Sequence, residues 1–477
     1  MPTNLSLMQF KIFACSLLLI TGWNAFAIPL QTRKIAFVPN TTPTPEPTML
    51  FNGKDLSGWV NVNCSSDTWT VKQGDDGVAY ILCSGVPTGV LRTAQMYENF
   101  TLDMDWMHEQ EPGNAGLFIW SDGITAVGVP FTRSIEVQIM LTPDVKDKEG
   151  RLLYTGQGDI FNIHGSTMTP DRPHPAGWSR CLPSARMTKG KGEWNHYTVK
   201  ADHGRLTLAV NGVEVGGASN INPRKGYICL ESEGTPIRFR NIRLTPLPAA
   251  EPPISADQCA VADEGFTYLL KDGLKVWHED PALAGHWKLN DDTLSYDGKG
   301  SHLWTNESFG DFEFVIDWRW VGDSQGKMQR PLFAADGSEQ KDAEGKPHTM
   351  EIEEWDSGIF VRGDSKSQVN MWNWPAGSGE IWGYRTDQSM SPAIRAACTP
   401  KMKADAPIGS WNRFRITMQG EQMKVLLNNK PVIPGATLPG VAATGPIAIQ
   451  SHGSALECMN IYIRPVSSGS SVSTPKK

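Results

Sequence analysis

A chain of 477 residues exceeds what one hydrophobic core normally supports, so two domains are the default expectation. Its formal net charge of −7 argues against nucleic acid or an anionic membrane surface as the main partner. With 46 glycines and 33 prolines spread along the chain, the composition suits many short strands joined by turns.

The chain opens on a stretch that reads as a secretory signal over residues 1–27. Lys11 gives a weak positive start, Ile12 to Ile20 are apolar, and Ala25-Phe26-Ala27 is a small-x-small cleavage site. The apolar run is shorter than the roughly 20 residues a bilayer span requires. No later stretch could cross a membrane, so the expectation is a secreted or periplasmic protein without membrane insertion. Residues 28–47, rich in Thr and Pro, read as an extended linker. Residues 48–247 form the first expected domain, 248–262 a second linker, 263–466 the second domain and 467–477 a disordered tail.

The two halves repeat one another. Trp59 and Trp69 recur at Trp277 and Trp287, and Trp194-Asn195 recurs at Trp411-Asn412. Asn211-Gly212 corresponds to Asn428-Asn429, and Gly226-Tyr227-Ile228 to Gly445-Pro446-Ile447. Motifs kept in order at nearly one offset mark a tandem duplication, and units this long suit sandwiches better than a solenoid. Phe100 to Trp106 alternates apolar and polar residues, and Phe312 to Trp318 does so more loosely. Tyr197 to Val215 reads as a hairpin closing on Asn211-Gly212. No amphipathic helix of three turns is apparent. The predicted fold is all-β, two tandem jelly-roll β-sandwiches.

Beyond the signal lie seven cysteines: Cys64, Cys83, Cys181, Cys229, Cys259, Cys398 and Cys458. Their odd number leaves at least one thiol unpaired, and Cys64 with Cys83, flanking a hairpin, is the expected bridge. None has zinc-site spacing. A solvated face, or an edge for a divalent cation such as calcium, explains the acidic run Glu351, Glu353 and Glu354 as well as a catalytic role does. Asp323 to His348 is a long insertion, either a loop over a site or an exposed excursion.

Four motifs together resemble the 3-keto-disaccharide hydrolase family. They are the opening Leu50-Phe51-Asn52-Gly53-Lys54-Asp55-Leu56-Ser57-Gly58-Trp59, the central Ser357-Gly358-Ile359-Phe360-Val361-Arg362-Gly363, the Trp-Asn pairs, and the closing Gln450-Ser451-His452-Gly453. The resemblance implies a concanavalin A-like sandwich acting on glycosides whose C3 hydroxyl is a ketone. Such a ketone acidifies the C2 proton, so a base can remove it and the C1 substituent can leave, after which water adds.

On that resemblance the second half carries the expected chemistry. Arg362 or Arg385 would stabilise the enolate, and His452 or Glu380 would serve as base or leaving-group acid. Gln368, Asn370, Trp372 and Gln450 would bind the sugar. In the first half Trp120 replaces the arginine and Glu233 replaces the histidine, while Glu136-Val137-Gln138 keeps a family strand. Glu136, Gln138 and His164 are therefore read as sugar-binding. Each has a structural alternative: Arg362 an ion pair, His452 a hydrogen-bonding strand end, Glu136 and Gln138 an outward polar face. The competing functions are a non-catalytic carbohydrate-binding protein and an adhesion protein, since the scaffold alone does not fix function.

Overall fold

The computed structural model describes residues 46–466 except residue 335. The signal, the tail and nearly all of the first linker lie outside the described residues. Among the described residues no helix is long and apolar enough to cross a membrane.

Two jelly-roll β-sandwiches follow one another in the chain. The first pairs a nine-stranded sheet with a seven-stranded sheet, and the second an eight-stranded sheet with a four-stranded one. The predicted hairpin forms from Asn195–Asp202, Arg205–Val210 and Val213–Asn222, and its copy from Asn412–Gln419, Gln422–Leu427 and Lys430–Thr437. Asn211, Asn428 and Asn429 adopt positive φ at these turns, a conformation asparagine tolerates better than most residues. The only α-helices among the described residues are short, Trp382–Thr386 and Pro392–Ala397.

Alternation decides what each sheet buries. In Gly113–Ser121, Ala115, Leu117 and Ile119 enter the first core, which leaves Gly116 and Phe118 on the outer face. In Asp356–Val361, Ile359 and Val361 enter the second core, which leaves Asp356, Gly358 and Phe360 outside.

Within the stretch read as a second linker, residues Ala256–Gln258 form a 3-10 turn and Ala250 and Ala260 are buried, while most of the other residues are exposed. The second apolar cluster extends onto the first sandwich through Val62, Val90, Phe118 and Tyr227.

Beside this apolar contact lies an ionic one. Arg413 on the second sandwich donates to Asp317 at 2.6 and 2.7 Å and to the carbonyl of Thr125 at 2.9 Å. The Gly128 amide donates to Asp317 at 2.9 Å, and Asn460 donates to the Val129 carbonyl at 3.0 Å. Asp317 is fully buried, so its charge depends on these donors. Arg413→Ala is therefore expected to cost about 3–5 kcal/mol by stranding a buried carboxylate. Calorimetry checks this, and an unchanged melting temperature would contradict it.

The expected Cys64–Cys83 bridge is absent. All seven described cysteines are free thiols, and six of them are buried. Cys83 accepts the Gly85 amide at 3.3 Å, and burial pushes the Cys64 thiol well above its usual range, so both behave as core residues.

Candidate functional site

The outer faces of the two smaller sheets hold the polar residues singled out in the sequence. On the second sandwich, Gly358 pairs with Asn370 in strand Asp364–Trp372. Alternation then places Gln368 and Asn370 beside Gly358 and Phe360. Gly358 is needed here: an added Cβ would lie 2.5 Å from the Gln368 amide nitrogen. Gln368 donates to Gln450 at 2.8 Å across the face. Leu303 pairs with Ile449, which puts His302 and Trp304 on the same face. His302 meets Phe360 edge-on at 4.9 Å between ring centroids, and Trp304 tilts against it at 5.6 Å.

Glu380 reaches this face through a bridge between Val369 and Ile381. It is fully buried, accepts from Asn370 at 3.3 Å and is ion-paired with Arg385. The Arg385 guanidinium lies 4.2 Å from the Phe333 ring, contributed by the long insertion. A cavity of about 370 Å³ opens there between Ser338, Glu339, Lys341, Arg385 and Arg395. Burial, offset by Glu339 and reinforced by Arg395, lowers the Arg385 pKa to about 10, so it stays cationic at neutral pH.

Asp356 completes the arrangement. The His452 ring nitrogen lies 3.5 Å from its carboxylate, and His452 is half exposed at the mouth. Burial, aided by the charge of Glu354 and opposed by Arg330, raises the Asp356 pKa to about 7. Burial and the neighbouring His452 lower that of His302, which keeps it neutral. Gln325 of the insertion fixes this end of the face by donating to the His452 carbonyl at 2.8 Å.

The structure thus brings Gln368, Asn370, Glu380, Arg385, Gln450 and His452 together and adds Asp356, His302 and Trp304. Asp356 was legible as the residue two before Gly358, on the same strand face. Its pairing with His452 joins residues far apart in sequence and has no local signal.

Arg362 is elsewhere. It adopts φ +54°, which breaks the alternation that would have placed it beside Phe360. Its guanidinium donates to the carbonyls of Gly310, Gly420 and Ala442 and to Asp311, at 2.7 to 3.0 Å. Trp120 takes the same conformation at φ +54° in the first copy, with its indole donating to the Glu98 carbonyl. Both side chains are buried and hydrogen-bond to backbone carbonyls, so the Arg-to-Trp exchange is structural. Trp372 pairs with Asp356 across the ladder, on the strand face of Asn370; it is 2 % exposed, donates to the Gly377 carbonyl at 2.6 Å, and is stacked against Trp374 at 4.0 Å.

The first sandwich presents the equivalent face with different chemistry. Gly116 pairs with Gln138, and Phe118 with Glu136, so these match Gly358, Asn370, Phe360 and Gln368. Leu117 pairs with Leu230, bringing Glu231 beside Gly116 from the other side. A Cβ on Gly116 would lie 2.7 Å from a Glu231 oxygen and 3.0 Å from a Glu136 oxygen. Burial first raises the pKa of both, reinforced for Glu136 by Glu233 and for Glu231 by Glu136 and Glu233.

Asp159 takes the place of Glu380, because Ile160 pairs with Val137 as Ile381 pairs with Val369. It binds Arg180 at 2.7 Å, and Arg180 donates to Gln138 at 2.7 Å. Asn114 and Glu233 are hydrogen-bonded to each other where the second copy has Asp356 and His452. His164 does not join Glu136 and Gln138. It lies past the strand end at φ +50°, stacked on Phe131 at 6.1 Å, in a cavity shared with Arg133 and Arg413.

The acidic run divides its charges among separate partners. Glu351 pairs with Lys327, Glu353 accepts from Ser324, and Glu354 pairs with Arg330. Among the described residues, no group of three or more His, Cys, Asp or Glu side chains is arranged to hold a metal ion.

A family model described as 3-keto-alpha-glucoside-1,2-lyase-like domain matches residues 46–245 and again residues 265–464. The chain belongs to this family, in two tandem copies. Its membership makes it a carbohydrate-active protein. Among solved structures, a candidate glycosyl hydrolase of Parabacteroides distasonis is 20% identical, with 42% of this chain and 94% of that one covered and a TM-score of 0.31. The carbohydrate-binding module CBM66 of Bacillus subtilis is 13% identical over 39% of this chain and 94% of its own, at TM-score 0.26. A β-glucanase of Bacillus licheniformis is 13% identical over 43% and 100%, at TM-score 0.25. No curated protein matches the chain.

Proposed function

We propose that the chain cleaves 3-keto-glycosides on the outer face of its second sandwich, with Asp356 and His452 as the acid–base pair. The observation that carries this reading is a carboxyl group of pKa about 7 beside a half-exposed imidazole, above a row of sugar-orienting amides. A base working near neutral pH needs such a value to be ionised yet still basic.

In this mechanism ionised Asp356 removes the C2 proton, and the electron pair passes into the C3 ketone to form an enolate. Arg385, held by Glu380, is the nearby cation that stabilises that charge. The enolate collapses, the bond between C1 and the glycosidic oxygen breaks, and the leaving oxygen takes a proton from His452. The sugar retains a C1–C2 double bond. Addition of water at C1, with a proton at C2, gives the free 3-keto sugar. Gln368, Asn370 and Gln450 orient the hydroxyls, and Trp304 with Phe360 offers an aromatic surface to the pyranose ring.

The test is nitrophenol release from 4-nitrophenyl 3-keto-α-D-glucopyranoside. With Asp356 as base, kcat/KM should rise with pH through a midpoint near 7, because only the ionised carboxylate accepts a proton. Absence of nitrophenol release across roughly pH 5–9 would reject the reading. We also infer export, supported by the signal-like pattern of residues 1–27. N-terminal sequencing of the mature protein should then begin at Ile28.

A further inference from the structure

The first sandwich keeps part of this site and loses the rest, and the division follows chemical lines. The carboxylate, arginine and amide set survives: Asp159, Arg180 and Gln138 stand where Glu380, Arg385 and Asn370 stand. Arg180 also lies 3.8 Å from the Phe161 ring, as Arg385 lies against Phe333. The acid–base pair is lost, because Asn114 occupies the position of Asp356 and an amide takes no proton from carbon.

The two positions between them are filled isosterically. Glu136 replaces Gln368, and Glu231 replaces Gln450. A protonated carboxyl donates one hydrogen bond and accepts others, as a primary amide does. Burial and the charge of neighbouring carboxylates, Glu233 first for Glu136 and Glu136 first for Glu231, favour that protonated form on this face, where the facing charged groups are Glu233, Asp159 and Arg180. Glu231 is 2 % exposed, and its Oε2 atom lies over Gly116 with no hydrogen-bond partner. A buried polar atom without a partner is costly, so it marks a place where a ligand group gains by binding. Asn114 and Glu233 are half-buried and form the rim.

We propose that the outer face of the first sandwich is a second glycoside-binding site, which holds a pyranoside through Gln138, Arg180 and the Glu136–Glu231 pair without cleaving it. The assignment rests on the reading that Asp356 and His452 do the cleaving in the other copy. One chain then carries a cleaving face and a holding face.

The experiment titrates the full chain with methyl α-D-glucopyranoside, an unoxidised probe, and follows nitrophenol release in parallel. Wild type should bind two equivalents. Gln138→Ala should bind one. Glu231→Gln should still bind two, since the second copy already carries glutamine there. Arg180→Leu is a second loss-of-binding variant, with its melting curve recorded to confirm folding. One equivalent bound by wild type, or two retained by both Gln138→Ala and Arg180→Leu, would overturn the proposal. So would cleavage that persists in Asp356→Asn and disappears when Glu231→Gln is added. Failure of the underlying reading looks different: nitrophenol release is absent in wild type while the two-site binding remains.

Discussion

Asp356→Asn is expected to lower kcat/KM for the 3-keto-glucoside by about 10²–10⁴-fold, the usual worth of a positioned acid or base. The fold should be unaffected, because Asn114 fills the same position in the first copy and is accommodated there by a carboxylate partner. The new amide keeps the volume of the carboxyl and, at the same distance, a polar contact with His452. The residual activity should also lose its rise with pH through the region near 7, because the group that titrates there is gone. A melting temperature equal to that of wild type, with turnover reduced a hundredfold or more, would separate a chemical role from a structural one. A variant that retains full turnover would remove Asp356 from the mechanism.

Arg362→Ala should have an effect of similar size on a different quantity. The side chain is 1% exposed and its guanidinium is shared among three carbonyls and Asp311. Truncation leaves those acceptors without donors and costs about 3–5 kcal/mol. For a domain of this size each kcal/mol moves the melting temperature by roughly 2–4 °C, so a fall of about 6 °C or more is expected. Turnover per folded molecule should stay near the wild-type value, because Arg362 does not reach the face that holds Asp356 and Gln368. A chain that melts normally but has lost turnover would return Arg362 to the active site.

These two residues also show what the sequence can carry. The duplication was legible because tryptophans such as Trp59 and Trp277 fill equivalent core positions and keep their spacing. The amide row was legible because Gln368 and Asn370 are two apart on a regular strand, where a period of two places them on one face. The same rule failed at Arg362, where a left-handed backbone turns the side chain toward the Gly310 carbonyl. Nothing local in the sequence announces that turn, since Arg362 is not a residue that favours positive φ.

Contacts between distant segments were the other loss. Glu136 and Glu231 meet only because strand Gly113–Ser121 lies between theirs and presents Gly116 at the crossing. Asp356 and His452 meet through a separate pairing, that of Asp356–Val361 with Ala448–Ile449. The cysteine pairing failed for a related reason. Hairpin flanks bring two residues near each other, but Cys64 and Cys83 both turn into the apolar core as thiols.

The claim that a carboxylate on the second face removes the C2 proton is tested most directly by running the reaction in heavy water and examining the sugar at early times. The account predicts either deuterium at C2 of the released 3-keto sugar or a C1–C2 double bond in its place. Sugar released with its original C2 proton intact would contradict it.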